Sequence, residues 1–149
     1  MMAAGRAAEL GYKVLLIEKN ATLGVKLLIT GGGRCNVTNA EFDNRRILSR
    51  FKTSDKYLFS AFSQFAVQDA LQFFNSRGMP TKIEPEQRVF PASNSAQSVW
   101  DVLVAYMREG SVEVMCDSPV AGLETHEGRI TAVRLKVGRK LAATAIILA

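Results

Sequence analysis

One histidine, His126, and two cysteines far apart, Cys35 and Cys116, leave little material for several kinds of chemistry. There is no CxxC pair and no cluster with zinc-ligand spacing, so no metal site is expected. No Ser/His/Asp set and no carboxylate pair stands out, so the catalytic residues stay unassigned. A GxGxxG turn is missing as well. The first residues show no basic stretch followed by a long apolar core, because Arg6 and Glu9 interrupt it. No apolar run approaches the ~18 residues of a membrane-spanning helix. A cytoplasmic location is the expectation, with both cysteines as reduced thiols.

What remains is ordinary globular material. The 149 residues are 48% hydrophobic and 22% charged, enough for one domain with a sizeable core. Nineteen basic against fourteen acidic side chains give a net charge of +5, but the positive residues are spread, with Arg45-Arg46 the densest pair. That pattern describes a solvated mixed surface, and no nucleic-acid partner is expected.

Met1 to Leu10 is alanine-rich and closed by Gly11, a helix with a glycine stop. Lys13 to Glu18 follows as a continuous apolar run ending in a carboxylate, the pattern of a parallel strand buried on both faces. Helix, glycine, strand and terminal acid together read as the second half of a βαβ unit. Lys19 to Asn39 is loop-like. Helices are expected at about 55–62 and 67–77, a short hairpin at 82–90, and an amphipathic helix from Ser93 to Gly110. Strands are expected at 112–115, 120–125, 130–137 and 141–148, with hairpin turns at Glu127-Gly128 and Val137-Gly138-Arg139.

Two places carry chemistry. A carboxylate ending a strand of this kind, here Glu18, is placed to accept hydrogen bonds from ribose hydroxyls. The stretch from Leu27 to Asn39 contains Gly31-Gly32-Gly33-Arg34-Cys35-Asn36. Three successive glycines permit backbone shapes and close approaches that side chains forbid, and their amides can line an anion or a flat ring. Arg34 adds a positive fork for phosphate, and Asn36 an amide that both donates and accepts. Cys35, lacking a nearby second cysteine, reads as a packing thiol.

These residues, with Ala3 to Asn20, Leu23-Gly24, Lys26 to Leu28, Thr38-Asn39, Arg88 to Ser93 and Ala145 to Ala149, closely resemble the bacterial NAD(P)/FAD-dependent oxidoreductase family of BaiN-like flavoproteins. The resemblance runs from end to end, and its GGGRCN stretch is quite specific. It implies an α/β, two-dinucleotide-binding-type (Rossmann-like) FAD domain with a parallel sheet, helices and a β-meander at about 118–141. It implies bound FAD, with Glu18 at the adenosine ribose, Lys19 beside it, and Lys26 and Gly31, Gly32, Gly33, Arg34, Cys35 and Asn36 along the pyrophosphate and flavin. Val120 would meet the adenine through its backbone. Hydride transfer through flavin is implied, NAD(P)H being the candidate reductant, toward a small-molecule substrate with a C=C bond conjugated to a carbonyl.

Family members begin with a strand and a GxGxxG turn and continue beyond an Ala149-like position. The expectation is therefore a partial FAD-binding domain over 1–149, truncated at both ends. Expressed alone it is expected to be poorly stable and essentially flavin-free. The alternative is a non-catalytic fragment, or half of a split flavoprotein with a complementing chain.

Overall fold

The computed structural model describes residues 1–149, the side chain of Lys52 excepted. In chain order the elements are α1 (Met2–Glu9), β1 (Leu15–Ile17), α2 (Val25–Ile29), a 3-10 turn (Thr30–Gly33), β2 (Thr38–Asn39) and α3 (Asn44–Ser49). A second 3-10 turn (Lys52–Ser54) leads into α4 (Asp55–Gln64), α5 (Val67–Ser76), β3 (Thr81–Glu84), a third 3-10 turn (Pro85–Gln87) and β4 (Arg88–Pro91). The chain ends with α6 (Ala96–Glu109), β5 (Glu113–Met115), β6 (Val120–His126), β7 (Arg129–Leu135) and β8 (Lys140–Ala142). The class is α/β, as the sequence leads one to expect. Among the described residues no helix is long and apolar enough to cross a membrane.

Two compact units divide the chain: Met1–Val25 with Leu103–Ala149, and Lys26–Val102. In the first, β1 and β5 form a two-stranded parallel sheet, Leu15 opposite Glu113 and Ile17 opposite Met115. The Glu18 N–H continues the ladder to the Met115 carbonyl at 2.9 Å. The strand is shorter than the apolar run suggests, and Leu15 is 37% exposed rather than buried on both faces. A parallel strand is buried twice only where layers cover both sides. Meanwhile β6, β7 and β8 make the antiparallel meander, in that order. Its first turn is Glu127-Gly128, both residues at positive φ, as a tight two-residue hairpin requires. The expected terminal strand stops at Ala142. Among the described residues nothing pairs with 144–149, and without a ladder the run stays irregular, with Ile147 and Leu148 exposed.

The second unit holds a three-stranded antiparallel sheet, β2-β4-β3. Glu84 pairs with Arg88 across the tip and Thr81 with Pro91 at the other end, so the expected hairpin is present. Its core joins Ala40, Ile47, Leu48, Val67, Leu71 and Val89, with Val37, Leu58 and Phe62 packed alongside. Val89 is fully buried, at the centre of the sheet. α3 is a helix that no apolar periodicity in the sequence marks. Asp43 caps it, one carboxylate oxygen accepting from the N–H groups of Arg45 (2.8 Å) and Arg46 (3.4 Å). Ile47 and Leu48 then give the helix its buried side.

Within the first unit α1 lies close against the end of α6 at Gly5. A Cβ on Gly5 would stand 2.6 Å from Cε1 of Tyr106, a side chain only 4% exposed and tied through its hydroxyl to Glu9 at 2.7 Å. Alanine ordinarily strengthens a helix over glycine by about 0.5–1 kcal/mol. Overpacking a fixed ring costs about 1–3 kcal/mol, so the clash should win. Gly5→Ala is accordingly expected to lower unfolding stability in a urea titration; an unchanged or raised midpoint would show that the Tyr106 ring moves aside freely.

Candidate functional site

In the first unit the candidate site is the end of β1. Glu18 is half-buried there, its carbonyl accepting from the Ser118 N–H at 2.9 Å. One carboxylate oxygen, Oε1, accepts from both the backbone N–H (2.8 Å) and the side-chain amide (2.7 Å) of Asn20. Oε2 has no hydrogen-bond partner among the described residues, so the carboxylate is held in place with one acceptor oxygen open. Burial lowers the pKa of the Met1 amino group at the start of α1, while the charge of Glu18 works to raise it. Lys19 is exposed beside it. Val120 opens β6 opposite Leu135, just before an irregularity in the ladder at Gly122.

In the second unit the site is the glycine stretch, which is less loop-like than its composition suggests. Val25–Ile29 forms α2, carrying Lys26 exposed, and Thr30–Gly33 continues as a 3-10 turn. Gly31, Gly32 and Gly33 have φ of 57°, 65° and 81°, three consecutive left-handed residues that only glycine adopts cheaply. A Cβ on Gly31 would meet the Asn36 nitrogen at 3.1 Å and Cε1 of Phe90 at 3.2 Å. A Cβ on Gly32 would meet nothing within 4 Å, so that backbone faces open space. The stretch is closed by the Cys35 N–H donating to the Thr30 carbonyl at 3.1 Å, and the Thr30 hydroxyl donates to the Leu27 carbonyl at 2.8 Å.

Asn36 and Cys35 hold the far side. In the amide orientation that meets acceptors, Asn36 donates to the carbonyls of Thr38 (2.8 Å) and Val89 (3.0 Å), fastening the turn to β2 and β4. Cys35 is buried, as a packing thiol should be.

Arg34 departs from the expected free fork. Its Nη1 donates to both oxygens of Glu84, at 3.0 and 3.1 Å, and its guanidinium lies 4.0 Å from the centroid of the Phe90 ring. Lys82 shares the same carboxylate, Nζ to Oε1 at 3.1 Å. The hydrogen bond from Lys82 holds the Glu84 carboxyl below the usual carboxylate range; Arg34 adds to this and partial burial opposes it. Sequence reasoning missed Glu84, Lys82 and Phe90. Their alternation along β3 and β4 marks one face of the hairpin, but nothing local announces a partner 50 positions away.

An α/β unit with a carboxylate ending its parallel strand, and a separate glycine turn of left-handed residues, describe a Rossmann-type protein. The chain belongs to the HI0933-like protein Rossmann domain family, which matches residues 1–149. The resemblance seen in the GGGRCN stretch is thereby borne out. Among curated proteins it is 30% identical over 131 residues to the ribosomal RNA dihydrouridine synthase of Escherichia coli strain K12, covering 88% of this chain and 32% of that protein. It is 31% identical over 113 residues to the 3-dehydro-bile acid delta(4,6)-reductase of Clostridium scindens, covering 75% and 26%. A ribosomal RNA dihydrouridine synthase of Haemophilus influenzae is 24% identical over 124 residues, covering 83% and 30%. The chain thus spans about a quarter to a third of the length of these relatives.

The ion pair at Glu84 carries a pH signature. Its pKa is lowered on folding, so its contribution is present above the ordinary carboxylate pKa and is lost as pH falls through the lowered value. In urea titrations taken from about pH 6 to about pH 3, the gap in stability between wild type and Glu84→Gln should narrow on acidification. A gap that stays constant would mean that the charge on Glu84 contributes nothing.

Proposed function

We propose that this chain forms the FAD-binding part of an oxidoreductase that reduces a carbon–carbon double bond conjugated to a carbonyl. The observation that carries the reading is the glycine turn, whose left-handed backbone is open at Gly32 and fastened on its other side. Such a surface fits a pyrophosphate or a flat ring, because no side chain intervenes and backbone amides are strong donors. Glu18 suits a ribose diol, since an oriented carboxylate with an open oxygen accepts well from hydroxyls. In this reading Glu18 and Lys19 take the adenosine ribose. Lys26 and the stretch Gly31–Asn36 lie along the pyrophosphate and flavin, and the backbone of Val120 takes the adenine.

FAD, when bound, supplies the hydride chemistry, and NAD(P)H is the reductant in this reading. The chain's own residues bind and orient. The relatives' names support the reaction class. Dihydrouridine is uridine with one ring double bond saturated, and a delta(4,6)-reductase removes ring unsaturation. Both describe alkene reduction, one within ribosomal RNA and one on a bile acid. A small conjugated enone is the proposed substrate here, and uridine in RNA is the competing acceptor that the assay should include. Reduced nicotinamide consumption with an enone but not with RNA supports this substrate class; the converse result replaces it with RNA.

The purified full-length protein should be yellow. Glu18→Ala should weaken FAD binding by roughly ten- to hundredfold, the equivalent of about 1.5–3 kcal/mol for a charge-assisted hydrogen bond. The measurement is a flavin fluorescence titration, with thermal melting as a control for folding. Unchanged affinity would remove Glu18 from the site.

A further inference from the structure

The glycine turn does not hold its shape unaided. Three left-handed residues in a row lose much conformational freedom on ordering, and glycine loses more than any other residue. Something outside the turn has to select this one arrangement. The hairpin β3–β4 presents the means on a single face. Lys82 is paired with Phe90 and Glu84 with Arg88, and alternation along β3 puts Lys82 and Glu84 on the same side. Phe90, only 2% exposed, meets the turn twice: its edge faces Gly31 and its ring face carries the Arg34 guanidinium. Glu84 then fixes the guanidinium from the side through Nη1.

We propose that Glu84 is a positioning residue for the Gly31–Asn36 turn, holding Arg34 against Phe90 and thereby setting the backbone that receives the dinucleotide. The role toward the dinucleotide rests on the flavin reading above; the role toward the turn does not. Lys82 has its own part in this arrangement. By binding the same Oε1 it keeps the carboxylate oriented and leaves the cluster of Arg34, Lys82 and Glu84 with one net positive charge. A residual positive charge beside the turn favours an anionic ligand, whereas Arg34 and Glu84 alone would cancel.

The test separates the two roles. Amide hydrogen exchange is measured on flavin-free protein, and FAD affinity by fluorescence titration, in wild type, Glu84→Ala and Glu84→Gln. In Glu84→Ala, exchange across residues 30–36 should speed up about three- to tenfold, and FAD affinity should fall by a similar factor, as expected for a partly buried ion pair. Exchange in β6 and β7 should not change. Glu84→Gln keeps an acceptor oxygen for Arg34 and should recover part of both losses. Unaltered exchange at 30–36 in Glu84→Ala, or a rise spread equally over β6 and β7, overturns the proposal. Should Glu84→Ala fail to fold, Glu84→Gln decides: wild-type exchange and affinity in that variant also overturn it. Loosening at 30–36 in a protein that takes up no FAD ends the flavin reading but supports the positioning role. FAD uptake with an unaltered turn ends this inference alone.

Discussion

A single aromatic ring organises the second unit's site. Phe90 sits on the largely buried strand β4, and both ends of the glycine turn are referred to it: a Cβ on Gly31 would stand 3.2 Å from its Cε1, and Arg34 lies over its face. The ring explains why the turn begins with glycine and why its cation is an arginine. Any side chain at Gly31 would displace either the ring or the Asn36 nitrogen, and a planar guanidinium stacks on an aromatic face while forming a hydrogen-bonded ion pair at its edge. Asn36 completes the attachment through the carbonyl of Val89, the residue preceding Phe90. The turn is thus built onto β4 rather than suspended between elements.

The two candidate carboxylates are handled oppositely. Glu84 is consumed by its neighbours, with Arg34 and Lys82 both on its oxygens. Glu18 is oriented by one neighbour, Asn20, through one oxygen only. Satisfying both oxygens makes a structural anchor; satisfying one leaves an oriented carboxylate with an acceptor oxygen to spare. That difference follows from local geometry. Glu18 follows a strand with a close turn behind it, and Glu84 meets a cation carried by the glycine turn.

Much of this was visible in the residues themselves. The strand ending in Glu18, the hairpin at 81–91, the helix ending near Gly110 and the Glu127-Gly128 turn all follow from local patterns of apolar spacing and glycine placement. The glycine stretch was visible as a place, and its family through the GGGRCN residues. Its shape was not, because composition cannot distinguish a free loop from a short helix running into a left-handed turn. Nor was the occupation of Arg34, whose partner is set by tertiary register rather than by spacing. The run 143–149 misled in the other direction, since apolar residues state a strand's preference but only a neighbouring ladder makes one.

The division into units has a consequence for how the chain acquires its structure. Lys26–Val102 is contiguous, whereas the other unit is assembled from Met1–Val25 and Leu103–Ala149. β1 is made before the whole of the contiguous unit, yet the strand it pairs with, β5, begins only at Glu113. Until then the apolar residues Val14 to Ile17 lack β5 as a partner, while every residue of the contiguous unit has already been made. Closing so long a separation adds only about 0.6 kcal/mol for each doubling of length. The burden is one of time rather than energy: the edge of β1 that β5 will cover waits open, and open strand edges are where nascent chains aggregate.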